Sequence, residues 1–143
     1  MIIREIAFES PEYWAAVQLR LEVLRKPLGL EFSESELAEE ISQWHLGGFE
    51  QDEILGCLTL VPLVGGQVKM RQVAVRPEHS NQGIGSALVN YSEEYALSRA
   101  AVEMVLHARL TAVRFYQRLG YEVRGEEFEE VGIPHVLMAK KLA

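Results

Sequence analysis

The strongest constraint on this chain lies between Val68 and His107, where the hydrophobic period changes twice. Val68 to Arg76 alternates like a strand, Leu88, Tyr91, Tyr95 and Leu97 recur at helical spacing, and Val102 to His107 is strand-like again. Strand, helix, strand in that order is a crossover unit, so its two strands run parallel. The stretch SNQGIGSAL, residues 80–88, opens the helix and puts Gly83 and Gly85 at its start.

The remaining elements are arranged around this unit. Ile3, Ile6 and Phe8 suggest a first strand. Ser10-Pro11-Glu12 combines a helix cap, an early proline and an early acid, ahead of a helix carrying Trp14, Val17, Leu21 and Leu24 that Pro27 and Gly29 end. Ser33 with Glu36 forms a capping box for a second helix bearing Leu37, Ile41 and Trp44. The runs His45–Phe49, Ile54–Val64 and Val68–Arg76 are separated by Gln51-Asp52-Glu53 and Gly65-Gly66, so they are expected to be antiparallel neighbours. Beyond the crossover come a helix over Thr111–Leu119 closed by Gly120, a strand over Tyr121–Phe128 and a last strand over Gly132–Leu142. The expected order is β-α-α-β-β-β-α-β-α-β-β. The fold class is α/β (α+β): a mixed, mostly antiparallel sheet with one parallel strand pair and helices on its faces, in a single domain over residues 1–143.

Composition excludes several functions. With 14 Lys and Arg against 21 Asp and Glu, the formal charge of −7 argues against nucleic-acid binding, which needs a concentrated positive surface. No apolar run approaches the roughly 18 residues that span a bilayer, and Met1–Phe8 lacks a signal-peptide core, so no membrane role and a cytoplasmic location are expected. The single Cys57 lies in an apolar run and reads as a buried, inert thiol that supports neither a disulfide framework nor a cysteine zinc site. Met70, Met104 and Met138 read as core, and no metal site is expected.

Gly83 and Gly85 sit where the unpaired N–H groups of a helix's first turn meet the positive end of its dipole, which makes an anion site. A dinucleotide fingerprint needs a third glycine where Leu88 stands, and a P-loop needs a Gly-Lys-Ser/Thr that is missing; neither fits. A third pattern does. VAVRPEHSNQGIGSAL resembles the acetyl-CoA signature of the GCN5-related N-acetyltransferase (GNAT) superfamily, in which a V-x-V strand end precedes Q/R-x-x-G-x-G/A. HARLTAVRFYQRLGYEVRGEEF resembles the second signature of the same superfamily, and EEVGIPHVLM, LRLEVLRKPLG and MRQVAV look like a branch of small bacterial members. The resemblance covers nearly the whole chain. Two positions depart from it: Ser80 replaces the usual Gln or Arg, with Asn81 and Gln82 beside it, and Arg109 replaces an Asn.

This resemblance implies acetyl-CoA as co-substrate, with the parallel pair splayed to admit the pantetheine arm. Val73, Ala74 and Val75 would pair with that arm through their backbone, and Asn81, Gln82, Gly83, Ile84, Gly85 and Ser86 would hold the pyrophosphate, with Arg109, Ala112 and Phe115 also on the cofactor. It implies an N-acetyltransferase acting by direct attack in a ternary complex on a primary amine, expected to be a small molecule. The alternative is a catalytically silent acyl-CoA-binding or regulatory module. Tyr116, about 100° around the helix from Phe115 and so expected in different surroundings, would be the general acid. His135, in GIPH, would orient or deprotonate the amine, with a structural hydrogen bond as the other reading. The groups on offer to take the proton of the amine are His107, His135, Glu126, Glu127, Glu129 and Glu130; Arg71, Gln72 and His107 are candidate acceptor contacts, and His107 reads equally as a hydrogen-bonded core histidine. Within Glu126–Glu130, alternation sets Glu126, Phe128 and Glu130 opposite Glu127 and Glu129. His79 reads as a surface residue or phosphate neighbour, and His45 as the end of an exterior strand. Edge strands near Gly132–Leu142 make a homodimer reasonable.

Overall fold

The structure, a computed structural model, describes residues 1–143. Seven strands and four α-helices follow one another as β1 (Ile2–Ile6), α1 (Pro11–Arg20), α2 (Glu34–Glu39), β2 (Trp44–Glu50), β3 (Glu53–Pro62), β4 (Gln67–Val75), α3 (Ile84–Ser98), β5 (Glu103–Arg109), α4 (Val113–Arg118), β6 (Glu122–Glu130) and β7 (Ile133–Lys141). That is the order expected from the sequence. Hydrogen bonding puts the strands in the order β1-β2-β3-β4-β5-β7-β6. The pair β4 and β5 is parallel, matching Gln67–Met70 with Glu103–Leu106, while β1–β2, β2–β3, β5–β7 and β6–β7 are antiparallel. The chain divides into two compact units, one of residues 1–61 and 72–92, the other of 62–71 and 93–143.

The first unit is organised around a buried carboxylate. Glu40 accepts both arms of the Arg20 guanidinium at 3.0 and 2.9 Å, the Tyr13 hydroxyl at 2.8 Å and the Gln72 amide at 3.3 Å. Burial disfavours the charge on Glu40, but the hydrogen bonds and positive charge of Arg20, with Tyr13 and Gln72, outweigh it and hold the carboxyl below its usual range. Ile6, Tyr13, Ala16, Leu19, Phe49, Ile54, Cys57 and Ala74 form the core beside it.

This pair explains why the face of α1 departs from the expected one. Trp14 is 47% exposed, whereas Tyr13, Ala16, Leu19 and Arg20 are buried. Turning Arg20 inward to Glu40 rotates the helix by about one residue relative to the purely apolar stripe. After Arg20 the chain forms a π turn over Leu21–Arg25 and a 3-10 turn over Lys26–Leu28, where Gly29 ends it with φ +70°. The capping box of Ser33 and Glu36 is present. The second helix is nevertheless shorter than expected: it becomes a 3-10 turn at Glu40–Ser42, leaves Ile41 68% exposed, and gives Trp44 to β2. His45 is also corrected. It is buried, and its Nε2 donates to the Glu40 carbonyl at 2.8 Å, with the ring 5.1 Å from that of Tyr13.

In the second unit Met70, Met104, Leu106, Val136 and Met138 are buried, the methionines as expected of core residues. Glu93 of α3 accepts from Tyr121 at 2.9 Å and from Lys140 at 2.9 Å, and Lys140 also donates to the Leu119 carbonyl at 2.7 Å. These bonds tie the corner between α4 and β6 to β7. The β6–β7 register shifts between Arg124 and Phe128, where Gly125 takes φ +84°. A bulge of this kind bends the bulged strand and re-aims the side chains that follow.

Replacing Glu40 by Gln leaves the buried Arg20 charge uncompensated, and a loss of about 3–5 kcal/mol is expected in urea unfolding at pH 7. Because the folded carboxyl titrates below an unfolded glutamate, its stabilisation is complete above about pH 4.5 and is lost as pH falls through the folded value. The acid limb of stability should therefore be flatter in Glu40→Gln than in the wild type. An unchanged urea midpoint at pH 7 would contradict this account of the first unit.

Candidate active site

In the first unit, the end of β4 and the start of α3 are joined by a loop that is anchored where it leaves β4. The Arg76 N–H donates to the Leu55 carbonyl at 2.8 Å, and its Nε donates to the Ile54 carbonyl at 2.8 Å. A 3-10 turn over Pro77–His79 follows, and His79 Nδ1 meets Gln82 Oε1 at 3.2 Å. Asn81 and Gly83 both occupy the left-handed region, at φ +62° and +80°. The Gly83 carbonyl accepts the Ala87 N–H at 3.0 Å, so Gly83 is the capping residue. The first-turn N–H groups of Ile84, Gly85 and Ser86 then have no partner one turn back. A Cβ at Gly83 would meet nothing within 4 Å. Open space over free donors at the positive end of α3, which has 15 residues, suits an anion.

The strand leading to this loop carries a local irregularity. Gln72 is in the left-handed region at φ +56°, within β4 and immediately before Val73-Ala74-Val75. A non-glycine residue there costs roughly 1–2 kcal/mol. The hydrogen bond from its amide to Glu40 holds it in place. Gln72, expected to contact an acceptor, thus has its side-chain amide engaged inside the protein. Ala74 is buried while Val73 and Val75 are partly exposed.

The second unit holds the other expected residues. His107, near the end of β5, gives its Nδ1 to Glu130 Oε1 at 2.9 Å, and His135 Nε2 lies 3.7 Å from Glu130 Oε2. Phe128 is edge-on to His107 at 4.9 Å and stacked on His135 at 6.1 Å. The expected alternation is visible here: Phe128 and Glu130 reach the same pair of histidines. Burial works against the Glu130 charge, but His107 above all, with His135 and Lys69, holds its carboxyl below the usual range. His135 is 5% exposed, and its Nδ1 meets the Ile133 carbonyl at 2.7 Å.

Tyr116 of α4 is 8% exposed, and burial pushes its phenol up to about 12. Phe115 and Tyr116 contact each other edge-on at 4.9 Å, so the adjacent rings share more of their surroundings than helical spacing suggested. Tyr116 also meets Tyr121 at 5.7 Å. Arg109 precedes the 3-10 turn that leads into α4, Ala112 is its last residue, and Arg71 is exposed on β4.

Comparison with known proteins identifies the family. A family model described as an acetyltransferase (GNAT) domain matches residues 24–142. The protein YyaT of Bacillus subtilis is 31% identical over 113 residues, which are 79% of this chain and 75% of that protein. This chain belongs to the GNAT acetyltransferase family. It is therefore an acyltransferase. Among solved structures, aminoglycoside 6'-acetyltransferase type Ii is 26% identical, with a TM-score of 0.81 over 100% of this chain and 98% of that one. An aminoglycoside 6'-N-acetyltransferase complexed with coenzyme A shares the fold at a TM-score of 0.82 and 20% identity, covering 100% of this chain and 98% of that one. No helix is long and apolar enough to cross a membrane.

The residues that sequence reasoning left out are Arg20 and Glu40, twenty positions apart with no local signal, and the specific choice of Glu130 within a run of acids. Cys57, the one thiol that a covalent acyl-enzyme would use, is 2% exposed, and burial pushes it up to about 12. The native protein should therefore not react with a thiol reagent under conditions where the urea-unfolded chain takes up one equivalent. Stoichiometric labelling of the native protein would return Cys57 to the list of nucleophiles.

Proposed function

We propose that the chain transfers an acetyl group from acetyl-CoA to a primary amine of a small molecule, by direct attack within a ternary complex, in one catalytic domain spanning residues 1–143. The observation that carries the cofactor half is the start of α3: three free N–H groups, capped by a left-handed Gly83 with open space above it. Membership of the family supports acetyl as the group transferred, and the buried Cys57 favours direct attack over an acyl-enzyme.

In this reading Asn81, Gln82 and Gly83 to Ser86 take the pyrophosphate, and Val73 to Val75 offer backbone groups to the pantetheine arm. An N–H of that strand would stabilise the oxyanion that forms on the thioester carbonyl. Arg109, Ala112 and Phe115 complete the cofactor side, and Arg71 contacts the acceptor. As the tetrahedral intermediate collapses, the departing sulfur needs a proton. Tyr116 suits this role because its phenol stays protonated throughout the neutral range.

The reading is tested by following thiol release from acetyl-CoA across a panel of amines and weighing the product. An acetylated amine with a mass increase of one acetyl group is expected. Tight CoA binding with no turnover for any amine would instead favour a silent acyl-CoA-binding module.

Two variants probe the roles. Gly83→Val puts a branched residue at φ +80° and a side chain into the open space, so CoA affinity measured by calorimetry should fall much more than the roughly 1–2 kcal/mol that left-handed strain takes from folding. Unchanged affinity would remove the α3 start from the cofactor site. Tyr116→Phe should lower kcat by roughly 10²-fold or more while leaving CoA affinity intact. A kcat near that of the wild type would leave solvent as the proton source.

A further inference from the structure

We propose that His107 is the base that takes the proton from the acceptor ammonium and that Glu130 is its positioning residue. This rests on the acetyl-transfer reading above and shifts the proton-accepting role, expected of His135, to His107.

The assignment follows from which nitrogen each ring has free. A carbonyl oxygen only accepts, so the 2.7 Å contact between His135 Nδ1 and the Ile133 carbonyl fixes the proton on Nδ1. Its other nitrogen, Nε2, points to Glu130 at 3.7 Å, and the ring is buried. His135 therefore has no nitrogen turned to an incoming amine. His107 is arranged the other way. An ionised Glu130 accepts, so the 2.9 Å contact puts the proton on Nδ1 and leaves Nε2 as an unprotonated lone pair. That nitrogen has no partner in the protein, and the His107 side chain is 28% exposed. A carboxylate fixing the tautomer of a histidine, and stabilising the imidazolium that forms, is the positioning logic of histidine bases in general.

The protons balance. The ammonium gives one proton to His107 Nε2, and the neutral amine attacks the thioester carbonyl, forming the C–N bond. The C–S bond then breaks, and the thiolate takes a proton from Tyr116, which regains it from the nitrogen of the former amine. His107 returns its proton to solvent, so the net products are an amide, a free thiol and one proton.

The charged groups on the sheet face around His107 are Glu130 of β6, His135 of β7, Lys69 and Arg71 of β4, and Arg109 of β5 itself. Lys69 acts on Glu130, and its ammonium is held below the usual range by burial and by Arg71.

The test begins with the wild-type enzyme and an amine it acetylates, because failure of every amine would count against acetyl transfer itself. With turnover established, kcat/KM is measured from pH 6 to pH 10 for His107→Gln, Glu130→Gln and His135→Gln, with CoA affinity as a control for folding. For His107→Gln we expect a loss of roughly 10²-fold or more at neutral pH that shrinks toward pH 10, where the free amine is abundant. For Glu130→Gln we expect a smaller loss of kcat/KM, together with a weaker preference for the Nδ1-protonated tautomer of His107 in the ring 15N spectrum. His135→Gln should cost less than His107→Gln and leave the shape of the pH profile unchanged. A His107→Gln profile parallel to that of the wild type, or a larger loss in His135→Gln than in His107→Gln, would overturn the proposal. A readout independent of activity is the ring 15N spectrum, in which His107 should carry its proton on Nδ1 at neutral pH. A proton on Nε2 would overturn it as well.

Discussion

Four donors converge on the Glu40 carboxylate, and the first unit is built around that convergence. Arg20 comes from the last residue of α1, Tyr13 from its first turn, and Gln72 from β4, while Glu40 itself begins the turn after α2. A buried ion pair is weak evidence for stability, since burial of two charges costs several kcal/mol each. Its geometric effect is more definite. Once Arg20 is turned inward, the face of α1 is set, Trp14 is left outside, and Gln72 is held in a conformation that it would otherwise avoid.

Gln72 links this scaffold to the segment proposed to hold the cofactor. The residue in left-handed conformation precedes Val73-Ala74-Val75, so Glu40 helps fix how the backbone of that segment is presented. Backbone strain kept in place by surrounding structure is a feature of sites where ligands bind. The same unit supplies a second backbone device, the loop in which Asn81 and Gly83 turn left-handed before α3 begins. In the proposed cofactor site both devices would act through N–H and C=O groups, which do not depend on a long side chain at Ser80. The second unit, taken by itself, holds a buried phenol at Tyr116 and a carboxylate, Glu130, beside two histidines.

Much of this was legible in the sequence, for identifiable reasons. The element order followed from changes of hydrophobic period and from caps such as Ser10 and Ser33, which report on local structure alone. The left-handed loop before α3 was legible because glycines and a helix start form a contiguous pattern. The orientation of α1 was not, because apolar periodicity ranked Trp14 above Arg20 and gave no account of a charged partner twenty residues away. The exterior placement expected for His45 failed for the same reason, since its partner is the carbonyl of that same Glu40. Alternation along β6 did put Phe128 and Glu130 on one face, yet only coordinates could show which nitrogen of each histidine was engaged. Motifs carry local backbone chemistry well. Long-range polar pairing, and the tautomers that depend on it, lie beyond them.

In the proposed site CoA is held by the backbone of β4 and the start of α3. Amide resonances followed during titration with CoA test it most directly, because they report on N–H groups one by one. The account predicts that the largest shifts fall at Val73 to Val75 and Asn81 to Ser86. Saturable binding that leaves both segments unmoved, with shifts confined to other residues, would contradict it.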